Sequence, residues 1–321
     1  MSAPETVIRA EGLCKSYPMG FWRRRVRVLT ELSFSVFRKE VVGFLGPNGA
    51  GKTTTLKILN HLAFQDSGRV EIFGEDTGRN ADARRRLGFM PEQPYFYEYL
   101  TGTEFLALCG HLTGMERKEI ARRSRELLAR VGLGDAGGTA IRKYSKGMMQ
   151  RLGLAQALLH DPELVVLDEP MSGLDPMGRM EVRSLIRELR EAGKTVFFSS
   201  HIISDVEALC DRVIILQKGR KVAEGTVEEM MGKEIQYVEV VLSPSPPAEW
   251  FRRRGLPAAD GIAQGNTFVI RARDLEEAHR WTELAREAGG RLYSLVPVKK
   301  RLEDIYVEQV SGPDRGDRHV G

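Results

Sequence analysis

The rhythm of hydrophobic and polar positions changes several times along this chain of 321 residues. Thr6 to Ala10 and Leu32 to Val36 alternate apolar with polar residues, the period of a half-buried strand. Val41 to Leu45 is a continuous apolar run, as expected of a strand covered on both faces. Leu56, Ile58 and Leu59 then mark a helix-like segment, and Asp66-Ser67-Gly68 a turn before a further strand, Arg69 to Phe73. From Thr101 to Ala157 the period is helical, with Ile120, Leu127, Leu128 and Val131 on one face and Arg122, Arg123 and Arg125 opposite. Strand character returns at Leu164 to Leu167. Val182, Leu185, Ile186 and Leu189 predict a helix that Gly193 ends, ahead of a strand from Thr195 to Ser199. Such alternation predicts a parallel sheet with crossover helices, interrupted by a helical insertion.

A second region starts after about Gly225. Gln236 to Leu242 alternates as a strand, and Ser243-Pro244-Ser245-Pro246-Pro247 breaks it; the stretch on to Arg254 reads as a surface loop. A strand from Thr267 to Ala272, an amphipathic helix from Asp274 to Ala288, a strand from Leu292 to Val298 and a short helix from Leu302 to Val310 follow. The expected organisation is one domain over residues 1–225 with a helical subdomain at about 96–160, a small α+β domain over 226–310, and a disordered tail over 311–321.

Composition excludes several classes. With 42% apolar residues, 29% charged residues and a net charge of +4, the chain has the balance of a globular protein rather than a disordered one. No apolar stretch approaches the roughly 18 residues of a membrane-spanning helix. Met1-Ser2-Ala3-Pro4-Glu5 lacks the basic and apolar regions of a secretory signal, so none is expected. Cys14, Cys109 and Cys210 form no C-x-x-C pair, so buried small hydrophobes are expected rather than a zinc site or a disulfide framework. Positive charge is local, at Arg23-Arg24-Arg25, Arg84-Arg85-Arg86 and Arg252-Arg253-Arg254, and each run reads first as a solvated face.

The chemistry concentrates in two places. Gly46-Pro47-Asn48-Gly49-Ala50-Gly51-Lys52-Thr53-Thr54 lies between a predicted strand and a predicted helix, the context a P-loop requires. Its glycines let backbone amides surround a phosphate, and the helix N-terminus adds a positive dipole. Lys52 then bridges β- and γ-phosphates, and the Thr53 hydroxyl ligates Mg²⁺. Leu164-Val165-Val166-Leu167-Asp168-Glu169-Pro170 brings two carboxylates to the C-terminal end of a buried strand. Asp168 would hold Mg²⁺ directly or through water, and Glu169 would polarise the attacking water.

With these motifs the chain resembles the ATP-binding-cassette (ABC) ATPases from about Val7 to Gly225. Tyr144-Ser145-Lys146-Gly147-Met148-Met149-Gln150-Arg151 stands in the place of the family signature, and Ser172-Gly173-Leu174-Asp175-Pro176 matches the D-loop. Gln93 matches the Q-loop glutamine, His201 the switch histidine and Tyr17 the aromatic that stacks on adenine. The resemblance implies an α/β P-loop NTPase (RecA-like) core, an N-terminal antiparallel β-subdomain, a helical signature subdomain and a small C-terminal α+β domain of regulatory or dimer-supporting role. It implies ATP and Mg²⁺ as cofactors. It further implies a second copy of the chain, or a homologous ATPase, packed head to tail, so that Ser145, Gly147 and Asp175 of one subunit complete the nucleotide site of the other. His201 would contact the γ-phosphate; Gln93 would sense the metal and relay closure to the partner.

An integral-membrane permease in a separate chain is the implied partner, with the ATPase peripheral on the cytoplasmic face of the membrane and no role for nucleic acid. Nucleic-acid members insert a long coiled coil, and no sustained heptads separate Lys52 from Ser145. Translation-type members carry two cassettes, and one P-loop is present here. A regulator without turnover would lack Glu169. The signature departs from the family at Tyr144, Lys146 and Met148, yet Y-S-K-G-M is similar to the form in exporters with separate permeases. Tyr95, Phe96, Tyr97 and Tyr99 are either permease contacts or a core aromatic cluster. The stretch Pro18 to Arg27 is either a solvated hairpin extension or a contact for anionic lipid or the permease.

Overall fold

Two long strands, β1 (Thr6–Met19) and β2 (Arg24–Phe37), open the chain as an antiparallel hairpin. In the computed structural model, residues 5–19, 24–76, 83, 85–232, 235–257, 260–299 and 301–311 are described. The hairpin runs well past the strands expected from alternation, and Tyr17 pairs with Val26 and Pro18 with Arg25. Most of the expected Pro18 to Arg27 loop is therefore strand, because Val26 and Val28 alternate with Arg25 and Arg27. Phe21, Trp22 and Arg23 lie outside the described residues.

With β4 (Ser67–Ile72) and β5 (Glu75–Asp76) the hairpin forms a four-stranded sheet in the order β2-β1-β4-β5. The turn before β4 needs Gly68: its φ is +93°, and a Cβ there would lie 2.5 Å from the Gly12 carbonyl oxygen.

A second sheet contains β3 (Val41–Leu45), β6 (Leu87–Met90), β7 (Leu164–Leu167), β8 (Thr195–Ser200), β9 (Arg212–Gln217) and β10 (Arg220–Thr226), in the order β10-β9-β3-β8-β7-β6. Every neighbouring pair is parallel except β9 with β10. Strands β3, β7 and β8 are buried throughout, which is why β3 and β7 read as unbroken apolar runs, while β8 carries apolar residues only from Val196 to Phe198. Phe34 of β2 joins the two sheets: its ring centroid lies 5.5 Å from that of Phe44 and 5.6 Å from that of Phe197.

Helix α1 (Lys52–Leu59) follows β3. The helical stretch after β6 divides into α2 (Gly102–Leu112), α3 (Arg117–Arg130), a 3₁₀ turn at Ile141–Lys143 and α4 (Lys146–Leu158). Thr101 and Glu104 form a reciprocal capping box at the start of α2. On α3 the predicted apolar face is buried, whereas Arg123 is not solvated as expected: its guanidinium donates to the carbonyls of Leu158 and Leu159 at 2.8 and 3.2 Å. Helix α5 (Pro176–Glu191) buries Val182, Leu185, Ile186 and Leu189, as their spacing predicts, and a short α6 (Ile203–Leu209) follows β8. Arg183 of α5 ion-pairs with Asp205 of α6.

The chain divides between Val227 and Glu228 into two compact units, with α7 (Val227–Met231) at the division. In the second unit β11 (Ile235–Leu242), β12 (Gly261–Gln264), β13 (Thr267–Ala272) and β14 (Leu292–Lys299) pair antiparallel in the order β12-β13-β11-β14. Helices α8 (Ala248–Arg252) and α9 (Leu275–Glu287) and the part of α10 (Leu302–Ser311) up to Glu308 complete it. Its core gathers Val238, Val240, Phe251, Phe268, Ile270 and Trp281. The surface loop expected between Ser243 and Arg254 is corrected here: Phe251 is fully buried and stacks on Phe268 with centroids 4.5 Å apart. The expected tail falls outside the described residues beyond Ser311. Among the described residues, no helix is long and apolar enough to cross a membrane.

Candidate nucleotide site

The loop between β3 and α1 takes its residue types from local crowding. A Cβ on Gly46 would lie 2.5 Å from the Leu216 carbonyl oxygen. Gly51 has φ +105°, and a Cβ there would meet Leu29 Cδ2 at 2.6 Å. No side chain caps the N-terminus of α1, so its first amides point outward with the positive end of the helix dipole behind them. Lys52 is almost completely buried. Its ammonium donates to the carbonyls of Gly46 at 2.7 Å and Pro47 at 3.3 Å, and lies 3.2 Å from Glu169 Oε1. That carboxylate oxygen makes no aligned hydrogen bond, so the contact is an ion pair alone.

Asp168 and Glu169 leave the C-terminal end of β7, and Ser199 of β8 holds both. Its hydroxyl donates to Asp168 Oδ1 at 2.6 Å and accepts from the Glu169 amide at 2.8 Å. Asp168 is 1% exposed. Burial pushes its carboxyl pKa upward against the hydroxyls of Ser199 and Thr53, and the charges of Glu92 and Glu169 add to the rise. Glu169 has φ +48°, a left-handed conformation costly for a residue with a Cβ. Besides the Ser199 bond, its carbonyl accepts from the Ser172 amide at 3.0 Å and from Gln150 Nε2 at 3.4 Å. The same Gln150 amide donates to the Pro170 carbonyl at 3.2 Å. His201 Nδ1 lies 2.9 Å from Glu169 Oε2. A carboxylate only accepts, so that nitrogen carries the proton.

Lys52 and Glu169 border a cleft of about 340 Å³ that is also lined by Asn48, Gly49, Gly51, Thr53 and Thr54, by Val28 of β2, and by Glu92. Lys52 and Thr53 lie in it, and Asp168 is joined to it through the Thr53 hydroxyl. Gln93 is exposed and is not part of that lining. Tyr17 is also outside it, paired on the hairpin and 5.2 Å from Lys15 Nζ at its ring centroid. Ser145, Gly147 and Asp175 do not line it either. Ser145 caps α4, accepting from the Met148 amide at 3.2 Å, and Asp175 caps α5, accepting from the Gly178 amide at 2.8 Å. A Cβ on Gly147 would find only ordinary contact, 3.5 Å from Leu174, so packing within the chain does not demand glycine there.

The departure at Tyr144 has a packing reason. It is buried, its hydroxyl donates to the Ala136 carbonyl at 2.8 Å, and Gly102 leaves room for that oxygen. Tyr95, Tyr97 and Tyr99 are exposed, whereas Phe96 packs edge-on against Phe105, so the aromatic run is not one core cluster. Ser199, Gln150 and Glu92 were not anticipated. Ser199 carried a signal, a polar residue at the end of a buried strand; Gln150 carried only its place among apolar neighbours of α4.

A parallel-strand P-loop whose lysine faces a carboxylate at the end of β7, two places away across β8, joined to an antiparallel β-subdomain and a helical insertion, defines a cassette-type P-loop ATPase. Residues 29–172 match the ABC transporter family. The chain is 40% identical over 313 residues to an uncharacterized ABC transporter ATP-binding protein of Nostoc sp., covering 96% of this chain and 91% of the relative. It is 35% identical over 309 residues to the bacitracin transport ATP-binding protein of Bacillus licheniformis, covering 96% and 98%. A solved dimeric ATP-binding cassette in a post-hydrolysis state with ADP and Pi is similar at a TM-score of 0.64 and 27% identity, over 69% of this chain and 99% of that one. The chain belongs to the ABC transporter family as an ATP-binding, ATP-hydrolysing subunit. Relatives of this kind dimerise and work with membrane permease components.

Proposed function

We propose that this subunit binds ATP with Mg²⁺ in the Lys52 cleft, closes head to tail on a second cassette, and drives a separate permease in the export direction from the cytoplasmic face of the membrane. The observation that carries the proposal is the chain Lys52–Glu169–His201 at the mouth of an uncapped helix N-terminus. The phosphates of ATP replace the Gly46 and Pro47 carbonyls and Glu169 as partners of Lys52. Glu169, freed from the ammonium, orients a water and accepts its proton as the new P–O bond forms and the γ-phosphate leaves the β-phosphate oxygen. His201 moves from Glu169 to the γ-phosphate. Tyr17 stacks on adenine, and the partner's Ser145, Gly147 and Asp175 complete the site from across the dimer.

The donor set fits Mg²⁺. Asp168 is a buried carboxylate bonded by two hydroxyls, and among the described residues no cation pairs with it. Thr53 and Asp168 would hold the ion through hard oxygen donors, with the nucleotide supplying others. Among the described residues no cluster of three or more His, Cys, Asp or Glu forms a ready cage, so the nucleotide and the metal depend on one another. An ion held there would supply positive charge against that developing on the phosphates.

Export is supported by the bacitracin transport relative and by the Y-S-K-G-M signature. The exposed Tyr95, Tyr97 and Tyr99, with Gln93 beside them, are the proposed permease contact. The cassette is taken as residues 1–225, with 226–310 an accessory domain. Glu169→Gln should retain ATP binding, lose nearly all hydrolysis and favour an ATP-bound dimer; normal turnover would refute the assignment of the base. Lys52→Ala should lose ATP affinity by titration, and unchanged affinity would remove the cleft from the reaction.

A further inference from the structure

Strand β8 carries hydroxyl side chains at Thr195, Ser199 and Ser200, and the first and last of these answer to the course of the chain itself. Thr195 is 1% exposed and accepts from the Lys39 amide at 2.9 Å. Ser200 accepts from the Ile202 amide at 2.9 Å and so shapes the turn into α6. Ser199 does neither. It is fully buried, and both its hydrogen bonds cross to the end of β7, one to each residue of the acidic pair.

The sheet explains this placement. Parallel pairing of β7 with β8 ends at Leu167 opposite Phe198, so one residue further on Ser199 stands beside Asp168. The Asp168 amide turns the other way, to the Met90 carbonyl of β6. A side chain therefore continues the connection between β7 and β8 where the backbone ladder stops. An ionised carboxylate only accepts, so the single hydroxyl proton goes to Asp168 Oδ1 at 2.6 Å, and a lone pair takes the Glu169 amide at 2.8 Å. A hydroxyl that donates to a carboxylate is polarised into a better acceptor, so the two bonds reinforce one another. They meet where Glu169 enters its left-handed conformation, φ +48°.

We propose, on the reading of Glu169 as the base, that Ser199 is a positioning residue for ATP hydrolysis. Its one hydroxyl sets both the backbone from which the base hangs and the orientation of the carboxylate assigned to the metal. Fully buried and outside the cleft lining, it acts through those two neighbours and not on the nucleotide.

The test uses the full chain and reads ATPase kinetics, AMPPNP titration in Mg²⁺ and thermal unfolding side by side. Ser199→Ala should lower kcat on the order of tenfold. Asp168 keeps the Thr53 hydroxyl, so the AMPPNP dissociation constant should stay within about threefold. Thr195→Val removes a buried, hydrogen-bonded hydroxyl from the other end of the same strand; it should lower thermal stability comparably and leave kcat unaltered. In a Glu169→Gln background, Ser199→Ala should reduce the residual single-turnover hydrolysis by less than about twofold, because its effect runs through the missing base. A kcat for Ser199→Ala within about twofold of the unsubstituted protein overturns the proposal. An equal kcat loss in Thr195→Val, or a further tenfold loss in the Glu169→Gln background, does the same. If Ser199→Ala does not fold, the comparison is read on Ser199→Cys, whose thiol fills the site and bonds weakly: a severalfold lower kcat is expected, and an unchanged one overturns the proposal. If Glu169→Gln abolishes hydrolysis while Ser199→Ala keeps its kcat, the base stands and only the role of Ser199 falls. If Glu169→Gln turns over normally, both fall.

Discussion

Gln150→Leu is the substitution that most directly tests how the catalytic loop is held. Gln150 is 4% exposed, and its amide donates to the carbonyls of Glu169 and Pro170 at 3.4 and 3.2 Å. Leucine keeps most of the volume and removes both donors. The Glu169 carbonyl retains the Ser172 amide, but the Pro170 carbonyl is left in a buried site without that partner. Losing a buried partner costs about 1–3 kcal/mol, and bonds this long belong near the lower end. A stability loss of about 1–2 kcal/mol in the first unit follows, measured by urea or thermal unfolding. The kinetic consequence is more diagnostic. Glu169 occupies a left-handed conformation that costs roughly 1–2 kcal/mol and is kept by Ser199, Ser172 and Gln150 together. If loosening that hold misplaces the carboxylate by about 1.4 kcal/mol, kcat falls about tenfold. The KM for ATP should hold, because Gln150 is not part of the cleft lining. Gln150→Glu should be worse on both measures, since it sets a carboxylate against two carbonyls. Lower stability with an unchanged kcat would refute the reasoning and leave Gln150 as an anchor of α4 only.

Three further outcomes can be checked on the purified chain. Burial holds the His160 pKa below its ordinary value of 6.5, although Nε2 lies 3.1 Å from the Leu87 carbonyl. The unfolded chain therefore takes up the proton first, so this stability is present above about pH 6.5 and is lost as pH falls through the lower folded value. His160→Gln should flatten that part of the stability–pH curve, and an identical slope would remove His160 as its source. Phe251→Ala should destabilise the second unit by about 3–5 kcal/mol; a change below about 0.5 kcal/mol, normal for an exposed loop, would restore the surface-loop description. Tyr144→Phe removes the bond to the Ala136 carbonyl and should lower stability by about 1 kcal/mol by thermal unfolding, with no loss of ATP affinity.

Legibility in the sequence followed the range of the forces involved. The P-loop could be read because its glycines answer to nearby sterics, at Gly46 and Gly51, and because β3 and β7 are buried on both faces and so lose their alternation. The length of the β1–β2 hairpin was hidden by arginines that sit on its solvated face. Phe251 was hidden by prolines and arginines around an apolar pair. The choice between Glu92 and Gln93 depends on a register: whichever residue follows β6 by the right parity enters the cleft, and a slip of one residue exchanges them. That register is set by β6 pairing with β7, a contact between segments far apart in the chain. Gln150 belongs to the same class, because nothing local in α4 indicates that its amide reaches the carbonyls beyond β7.

The ion pair between Lys52 and Glu169 explains how two charges can be buried side by side at the cleft. Each side chain is less than a tenth exposed, and an isolated charge at that depth would cost several kcal/mol. The ion pair, the Gly46 and Pro47 carbonyls on the ammonium and the His201 proton on Glu169 Oε2 offset that cost within the chain, although Glu169 Oε1 has the ion pair alone. A phosphate at Lys52 would compete with Glu169 and the two carbonyls for the three ammonium donors, so ATP binding in the proposed mode is expected to loosen Glu169 from its cation. The group proposed to activate water is paired with the lysine in this structure and would be released as substrate phosphate engages that lysine. A base restrained by the residue that recognises the substrate acts only in the substrate's presence, which is the coupling an ATP-driven transporter requires.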